Sequence, residues 1–210
     1  MVERGGPCPM FLDRLFGRTG PRAAAEALYD TAVAQARSVT FYRDFGVPDT
    51  VDGRFDMLVL HVFMILHRLK REGEAGRRTG QALFDRMFAD MDRSLREMGV
   101  GDLSVGKHVK RMGEAFYGRV KSYDAAIEAS AADGGAELGD AIARNVFGVN
   151  GDGAARPSDA ILGALASYVL ASIRVLDGGP AADLLDGRAA YAALPVPTAD
   201  GEDASDAGGD

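Results

Sequence analysis

Residues 57–66 form the most apolar stretch of the chain, Met57-Leu58-Val59-Leu60-His61-Val62-Phe63-Met64-Ile65-Leu66. Thr50 precedes the segment that contains them and is suited to cap a helix, because its hydroxyl can accept a hydrogen bond from an unpaired backbone N–H. We therefore predict a helix over residues 51–71. Since this helix has almost no polar face, we expect it to be buried on all sides.

Helical periodicity recurs on both sides of this segment. Apolar residues at spacings of three and four predict further helices over about 22–39, 77–98, 105–129, 136–147, 157–176 and 186–193, and no strand-like alternation occurs. The prediction is an all-α protein with a single helical domain of about six to seven helices over residues 22–178. Residues 1–21 are predicted to be a flexible arm, and residues 179–210 a short helix and a disordered acidic tail.

The distribution of charge along the chain argues against one class of function. The net charge is −7, with 20 Lys/Arg against 16 Asp/Glu in residues 1–121 and 4 against 15 in the remainder. This balance argues against a DNA-binding protein.

The single cysteine, Cys8, excludes an intramolecular disulfide and a thiolate metal cluster, as expected in a reducing compartment. The apolar run is about half the ~20 residues that span a bilayer, and no secretion signal begins the chain, so we expect a cytoplasmic protein.

Residues 101–107 match the G-x-x-x-x-G-K core of a phosphate-binding loop. The next residue is His108, where that motif needs a serine or threonine to ligate magnesium. A methionine-rich helix precedes the match, whereas the motif requires a strand. We therefore interpret both glycines as part of a turn between two helices.

The histidines give no metal site by spacing. His61, His67 and His108 do not pair at i, i+4, and the aspartates of residues 85–92 spread around a helix axis. Haem ligation by His61 is one interpretation. We favour the other, a core histidine hydrogen-bonded to a backbone carbonyl. Without a nucleophile elbow, paired carboxylates or a dinucleotide loop, we expect no catalytic site, metal or cofactor.

A candidate partner-binding surface lies on the helices predicted over 77–98 and 105–129. Methionine adapts to irregular apolar partners, and a basic run follows it in the chain. The candidate residues are Met87, Met91, Met98, Lys107, Lys110, Arg111, Arg119 and Lys121. Ordinary core packing of the methionines and a solvated basic face are the alternatives, which spacing alone leaves open.

Several short pieces in a fixed order resemble the ubiquinol-cytochrome c chaperone family. They include Val47-Pro48-Asp49-Thr50, Leu60-His61-Val62, Arg68-Leu69-Lys70-Arg71-Glu72-Gly73, Met98-Gly99-Val100, Phe116-Tyr117 and Tyr123-Asp124, and they cover about residues 25–148. Residues 83–107 resemble the bacterial branch in particular. The resemblance implies a helical assembly factor for the cytochrome bc1 complex. Mitochondrial members bind newly made cytochrome b and, with a small partner, the ribosome near its exit tunnel.

This resemblance sets the functional expectation, a non-enzymatic chaperone whose partner is cytochrome b or another bc1 subunit. Phe116 and Tyr117, which belong to the matching pieces, join the candidate surface. A small protein partner and a peripheral contact with the inner face of the membrane or with the ribosome are further expectations that it leaves open. A haem-binding protein using His61 and a generic helical adaptor for another partner are the alternatives.

Overall fold

The computed structural model describes residues 20–149 and 155–194. Within these residues the chain forms eight α-helices and no strand. The long helices are α1 (Pro21–Ala36), α3 (Val51–Leu69), α4 (Gly73–Glu97), α5 (Asp102–Asp133), α6 (Ala136–Val146) and α7 (Asp159–Gly178), and the short ones are α2 (Val39–Arg43) and α8 (Ala181–Leu185). The all-α fold class is confirmed, with six long helices. The predicted arm, apart from its last two residues, and the acidic tail from residue 195 lie outside the described residues.

Helix α3 is the centre of the fold. Every residue from Met57 to Ile65 is buried, and the helix packs against α1, α4, α5, α6 and α7. The Thr50 hydroxyl accepts a hydrogen bond from the Gly53 N–H at 3.1 Å, so the predicted cap forms. Burial of each large apolar side chain contributes about 1.5–3 kcal/mol, and α3 has more buried apolar side chains than any other described helix.

Helix α4 begins earlier than predicted because Gly76 has a packing role. A Cβ atom on Gly76 would lie 2.1 Å from the carbonyl oxygen of Leu69, so only glycine allows the first turn of α4 to approach the last turn of α3 this closely. The predicted start of this helix at about residue 77 is therefore too late, since α4 begins at Gly73. The connection is a tight turn at residues 70–72, followed by Gly73 with a φ of +55°.

Helices α4 and α5 form a helical hairpin. The turn at residues 98–101 contains Gly99, whose φ of +83° suits glycine. Helix α5 has 32 residues, about 48 Å of length, and starts at Asp102. Gly106 and Lys107 thus lie inside the helix, so the match to a phosphate-binding loop is not a loop in the structure. The interpretation of both glycines as turn residues holds for Gly101, which precedes the helix, and is wrong for Gly106.

The short C-terminal helix lies earlier than the sequence analysis placed it. Helix α8 covers Ala181–Leu185, whereas the predicted helix over residues 186–193 does not form. Gly187 explains the difference, because it has a φ of +88° and a Cβ there would lie 3.0 Å from the Cβ of Ala27 on α1. A chain in this conformation and this close to α1 cannot continue as a helix.

Beyond Gly187 the chain packs across the core without regular structure. The Tyr191 hydroxyl donates a hydrogen bond to the His61 carbonyl oxygen at 3.0 Å, and the Ala192 N–H donates one to the Ser172 hydroxyl at 3.1 Å. We call residues 188–194 the C-terminal strap. The strap joins α3 to α7 and closes one side of the core.

Helix α7 is, by length and composition, apolar enough to cross a membrane, with a mean hydropathy of 1.6 over its best window. In this fold it packs against α3 and α6. Leu165, Val169 and Ile173 are buried in the common core. Its polar side chains Tyr168 and Ser172 make hydrogen bonds inside the domain. These contacts are those of a core helix.

Candidate functional site

His61 takes part in a chain of hydrogen bonds through the core. Its Nδ1 donates to the Met57 carbonyl oxygen at 2.7 Å, and its Nε2 accepts from the Tyr168 hydroxyl at 3.0 Å. The Tyr168 hydroxyl accepts in turn from the Gln35 amide at 2.9 Å. Complete burial lowers the pKa of His61 to about 4, so the ring is neutral at neutral pH.

Both nitrogens of His61 are therefore occupied, as in the interpretation of a core histidine bonded to a backbone carbonyl. Haem ligation would require the Tyr168 bond to break and a path to open to a fully buried ring. Among the described residues, no group of three or more His, Cys, Asp or Glu is placed to hold a metal ion.

A groove of about 790 Å³ lies between the α4–α5 hairpin and the ends of α1, α3 and α6. Its apolar walls come from four helices, with Val33 on α1, Phe55 and Leu58 on α3, Met91 on α4, and Met112 on α5. The volume compares with about two turns of an α-helix roughly 10 Å wide. We call this depression the methionine groove.

The rim of the methionine groove is partly apolar and exposed. Val51 at the start of α3 is 61% exposed, and Met98 at the end of α4 is 53% exposed. Large apolar side chains at this exposure on the edge of an apolar depression are typical of a binding surface. The groove is therefore the strongest candidate in the described residues for holding a partner.

The structure separates the ten predicted surface residues into three groups. Four line the methionine groove: Met91, Met98, Arg111 and Arg119. Four are exposed on the hairpin outside it: Lys107, Lys110, Tyr117 and Lys121. Two are buried in the core, Met87 and Phe116, so in this conformation they support the surface from beneath. Tyr117 lies on an aromatic cluster, with its ring centroid 5.6 Å from that of Phe84.

The groove lining carries an excess of positive charge, with five arginines against Asp52, Asp56 and Asp90. Arg37, Arg111 and Arg144 line the groove and have no ion-pair partner among the described residues. Asp90, an acidic lining residue, accepts hydrogen bonds from Tyr29 and Arg86. The net field therefore attracts acidic or electron-rich groups to the rim.

The floor of the groove contains one buried ion pair. Asp56 is only 6% exposed, and its Oδ1 lies 2.7 Å from Nη2 of Arg119 on α5. Burial raises the pKa of Asp56 to about 7, and Arg119 only partly opposes this because desolvation outweighs the attraction. The Arg119 guanidinium also lies 5.8 Å from the centroid of the Phe55 ring. Arg119 thus differs from the rest of the basic run, since its charge is directed inward.

Asp56 and Asn145 are groove residues that the sequence analysis missed. The available signal was the carboxylate of Asp56 directly before the most apolar stretch of α3, because a buried charge needs a partner. Asn145 gave a weaker signal, as a polar residue next to the buried Val146 at the end of α6. Neither signal identifies the partner, which lies on another helix.

Comparisons with known proteins give a consistent family. Residues 43–192 match the family described as ubiquinol-cytochrome C chaperone. A Xenopus laevis protein named ubiquinol-cytochrome-c reductase complex assembly factor 1 is 29% identical over 119 residues, which are 53% of this chain and 60% of that protein. The human protein of the same name is 30% identical over 119 residues, 53% of this chain and 40% of that protein. The chain thus spans about half the length of these curated relatives.

One solved structure is similar over nearly the whole chain. The crystal structure of the Cbp3 homolog from Brucella abortus superposes with a TM-score of 0.71 at 36% sequence identity, covering 88% of this chain and 96% of that one. At this identity and coverage the likeness extends over most of the fold.

Proposed function

Because the chain belongs to the ubiquinol-cytochrome c chaperone family, we propose that it is an assembly chaperone for the cytochrome bc1 complex. Its client is newly made cytochrome b, held through an apolar segment before incorporation. The observation that carries the proposal is the methionine groove, an apolar depression bordered by arginines that have no ion-pair partner among the described residues.

The walls of the groove suit an apolar helix whose sequence varies. Methionine side chains are flexible and polarisable, so Met91, Met98 and Met112 can adapt to irregular apolar surfaces. Binding of an amphipathic or apolar helix in such a groove uses anchors at one face of the helix. Holding a client in this way requires no chemical step, which is why the proposal assigns no catalytic residue.

Exposed lysines on α5 support a location at a membrane surface. Lys107 and Lys121 are exposed on α5, outside the groove lining, and have no ion-pair partner among the described residues. Lysines near a membrane surface are attracted to anionic lipid by about 1 kcal/mol each. We therefore place the protein in the cytoplasm at the inner face of the membrane, where a newly inserted client is within reach.

A complementation experiment tests the function. Deleting the gene should reduce the haem b absorbance of membranes, and the wild-type gene should restore it. Met98→Glu places a charge on the groove rim and should fail to restore haem b. Val175→Glu is the matched control, because Val175 is 43% exposed but lies on α7 away from the groove. Normal haem b in the deletion strain would end the proposal.

Site-specific photocrosslinking identifies the client. A photoreactive amino acid at position 98 should capture cytochrome b in living cells, whereas the same group at position 175 should not. Capture of a different bc1 subunit would correct the client and keep the assembly role. Equal capture of unrelated proteins at both positions would favour a generic helical adaptor.

A further inference from the structure

The arginines that lack an ion-pair partner are concentrated at the methionine groove. The described residues contain 17 arginines, of which twelve form ion pairs with an aspartate or a glutamate. Three of the other five, Arg37, Arg111 and Arg144, line the groove. We call these three residues the arginine rim. Since most arginines of this part of the chain are paired, the rim marks a place where acidic partners can still bind.

Three helices supply the arginine rim, so its positive charge comes from different walls of the groove. Arg37 is the C-cap residue of α1, Arg111 lies on α5, and Arg144 lies in the last turn of α6. All three residues are exposed. A guanidinium offers a planar fork of N–H donors that matches a carboxylate. The rim therefore suits an acidic segment that crosses the groove and presents several carboxylates.

The acidic residues of the groove lining do not neutralise the arginine rim. Asp56 is paired with Arg119 at 2.7 Å, and Asp90 is paired with Arg86 at 3.3 Å. Asp52 lies in the first turn of α3, where the positive end of the helix dipole stabilises its charge. Attraction for an acidic occupant therefore remains at the rim.

One stretch of the chain outside the described residues has the complementary charge. Residues 1–19 hold three arginines against two acidic residues, and residues 150–154 hold a single aspartate. Residues 195–210, which we call the acidic tail, hold five acidic residues and no lysine or arginine. The five are Asp200, Glu202, Asp203, Asp206 and Asp210. Charge complementarity therefore selects the acidic tail as the occupant of the rim.

We propose that the acidic tail binds the arginine rim of its own chain and covers the methionine groove until a client displaces it. The displacement rests on the proposed function, because it takes the groove to be the client site. The inference adds regulation to that site. Without a client, the chain covers its own apolar groove, which limits contacts with other apolar surfaces.

The C-terminal strap brings the chain close to the rim before the tail begins. The Tyr191 ring lies 5.1 Å from the His61 ring, centroid to centroid. Nε2 of His61 accepts from the Tyr168 hydroxyl at 3.0 Å, and that hydroxyl accepts from the Gln35 amide at 2.9 Å. Gln35 lies on α1, two residues before Arg37. A short series of side-chain contacts thus connects the strap to one end of the rim.

The length and spacing of the acidic tail fit the groove. Asp200 and Asp206 are six and twelve residues beyond Leu194, so an extended chain carries them up to about 20 Å and about 40 Å from it. A groove of about 790 Å³ is on the order of 10 Å across, and acidic residues three apart in an extended chain are also spaced by about 10 Å. Successive carboxylates can therefore meet different arginines. Because the tail is tethered, its effective concentration at the rim is on the order of millimolar.

A spin label on the acidic tail tests the contact in the full chain. Cys8→Ser removes the single cysteine, and Ser205→Cys then places the label among the acidic residues. At 0.1 M salt, the label should reduce the backbone amide NMR signals of the arginine rim to less than half of their intensity with the label reduced. The signal of Glu74 should not change, because Glu74 is about 24 Å along α4 from the groove residue Asp90. At 1 M salt, where the Debye length is about 3 Å, the rim signals should recover.

Charge variants show whether attraction causes the contact. Replacing the five acidic residues of the tail with asparagine or glutamine should restore the rim signals to full intensity. Replacing the three arginines of the rim with glutamine should do the same. The matched control is the combination of Lys107→Gln, Lys110→Gln and Lys121→Gln, which removes three positive charges from α5 outside the groove lining and should leave the signal loss unchanged.

Peptide binding connects the tail to the client. The probe is a fluorescein-labelled 16-residue peptide of alanine and leucine with glutamates at both ends. The variant with the neutral tail should bind it about fivefold more tightly than the wild type, as expected if the tail occupies the groove for about four-fifths of the time. The unlabelled peptide should also restore the rim signals of the spin-labelled protein.

The outcomes separate this inference from the proposed function. Full intensity of the rim signals at 0.1 M salt overturns the inference, and signal loss only from a label on Cys8 would assign the groove to residues 1–19. Signal loss in a mixture of isotope-labelled and spin-labelled molecules would place the tail on a second copy and overturn binding within one chain. Equal peptide affinity of the wild type and the neutral-tail variant overturns the covering of the groove. If neither protein binds the peptide while the rim signals stay weak, the proposed function loses its main support and the tail contact stands.

Discussion

Replacing Asp56 with asparagine should change how the stability of the protein depends on pH. The Asp56 carboxyl is 6% exposed and lies beside Arg119 at 2.7 Å. Burial raises its pKa from the ordinary 3.8 to about 7, and the nearby guanidinium lowers it by less than burial raises it. The folded protein therefore holds this proton more tightly than the unfolded chain does.

The sign and size of the effect follow from that difference. A pKa raised on folding contributes stability that is complete below about pH 4 and is lost as the pH rises to about 7. At 1.36 kcal/mol per pKa unit, the change from 3.8 to about 7 amounts to roughly 4 kcal/mol. The free energy of unfolding of the wild type minus that of Asp56→Asn should fall by this amount between pH 4 and pH 7 and stay constant above.

The difference between the two proteins is needed because His61 acts in the opposite direction. Its pKa is lowered on folding from 6.5 to about 4 by burial, so its contribution to stability is lost as the pH falls through that interval. The two trends partly cancel in the wild type. The His61 contribution is common to both proteins and disappears from the difference.

Urea unfolding followed by circular dichroism at pH 4 to 8, at constant ionic strength, measures the difference curve. Asp85→Asn removes an exposed carboxylate of α4 and is the matched control for loss of one charge. A flat difference curve for Asp56→Asn would refute the reasoning. A curve that rises with pH would show that attraction to Arg119 outweighs desolvation.

Three further substitutions test the packing. Gly76→Ala should destabilise the protein by about 1–3 kcal/mol, because the added Cβ would lie 2.1 Å from the Leu69 carbonyl oxygen. Gly106→Ala should instead stabilise the protein by about 1 kcal/mol, because Gly106 lies in a helix and nothing is within 4 Å of the added Cβ. Urea unfolding measures both variants, and changes in the free energy of unfolding that have the same sign for both would contradict this assignment. Tyr191→Phe removes the hydrogen bond to the His61 carbonyl and should lower the free energy of unfolding by about 1 kcal/mol, with a fall in Tm of about 2–4 °C. An unchanged Tm would show that this bond contributes nothing to stability.

The helices were predictable because their signals are local. The run from Met57 to Ile65 and the cap at Thr50 lie within one segment, and both form as expected. The predicted helix boundaries were wrong where a glycine packs closely against another helix. Gly76 against Leu69 and Gly187 against α1 have the sequence appearance of turns, yet their positions are set by how closely two helices approach.

The candidate site was predictable only in part. Met87, Met91 and Met98 share a helix and similar spacing, but Met87 is fully buried while Met98 is 53% exposed. Periodicity identifies the face of a helix and not the point along its axis where the neighbouring helices end. The exposure of each methionine therefore depends on the length and placement of α1, α3 and α5, which only the folded structure provides.

The groove floor was beyond sequence reasoning for a related reason. Asp56 and Arg119 belong to α3 and α5, and Asn145 belongs to α6. Their juxtaposition depends on three helices packing at one point. Arg119 in particular has the same sequence appearance as Lys110 or Lys121, although it alone of the three pairs with a buried carboxylate.

The C-terminal strap is made late in synthesis, and this delay determines how long α3 stays incompletely covered. The Tyr191 hydroxyl and the His61 carbonyl that it contacts are separated by 130 residues of sequence. At the usual rate of 5–20 residues per second, the ribosome adds Tyr191 on the order of 10 s after His61. Throughout that interval the most apolar helix of the chain lacks part of its cover. A protein that we propose protects a nascent client must itself pass through a nascent state in which its own central helix is incompletely protected.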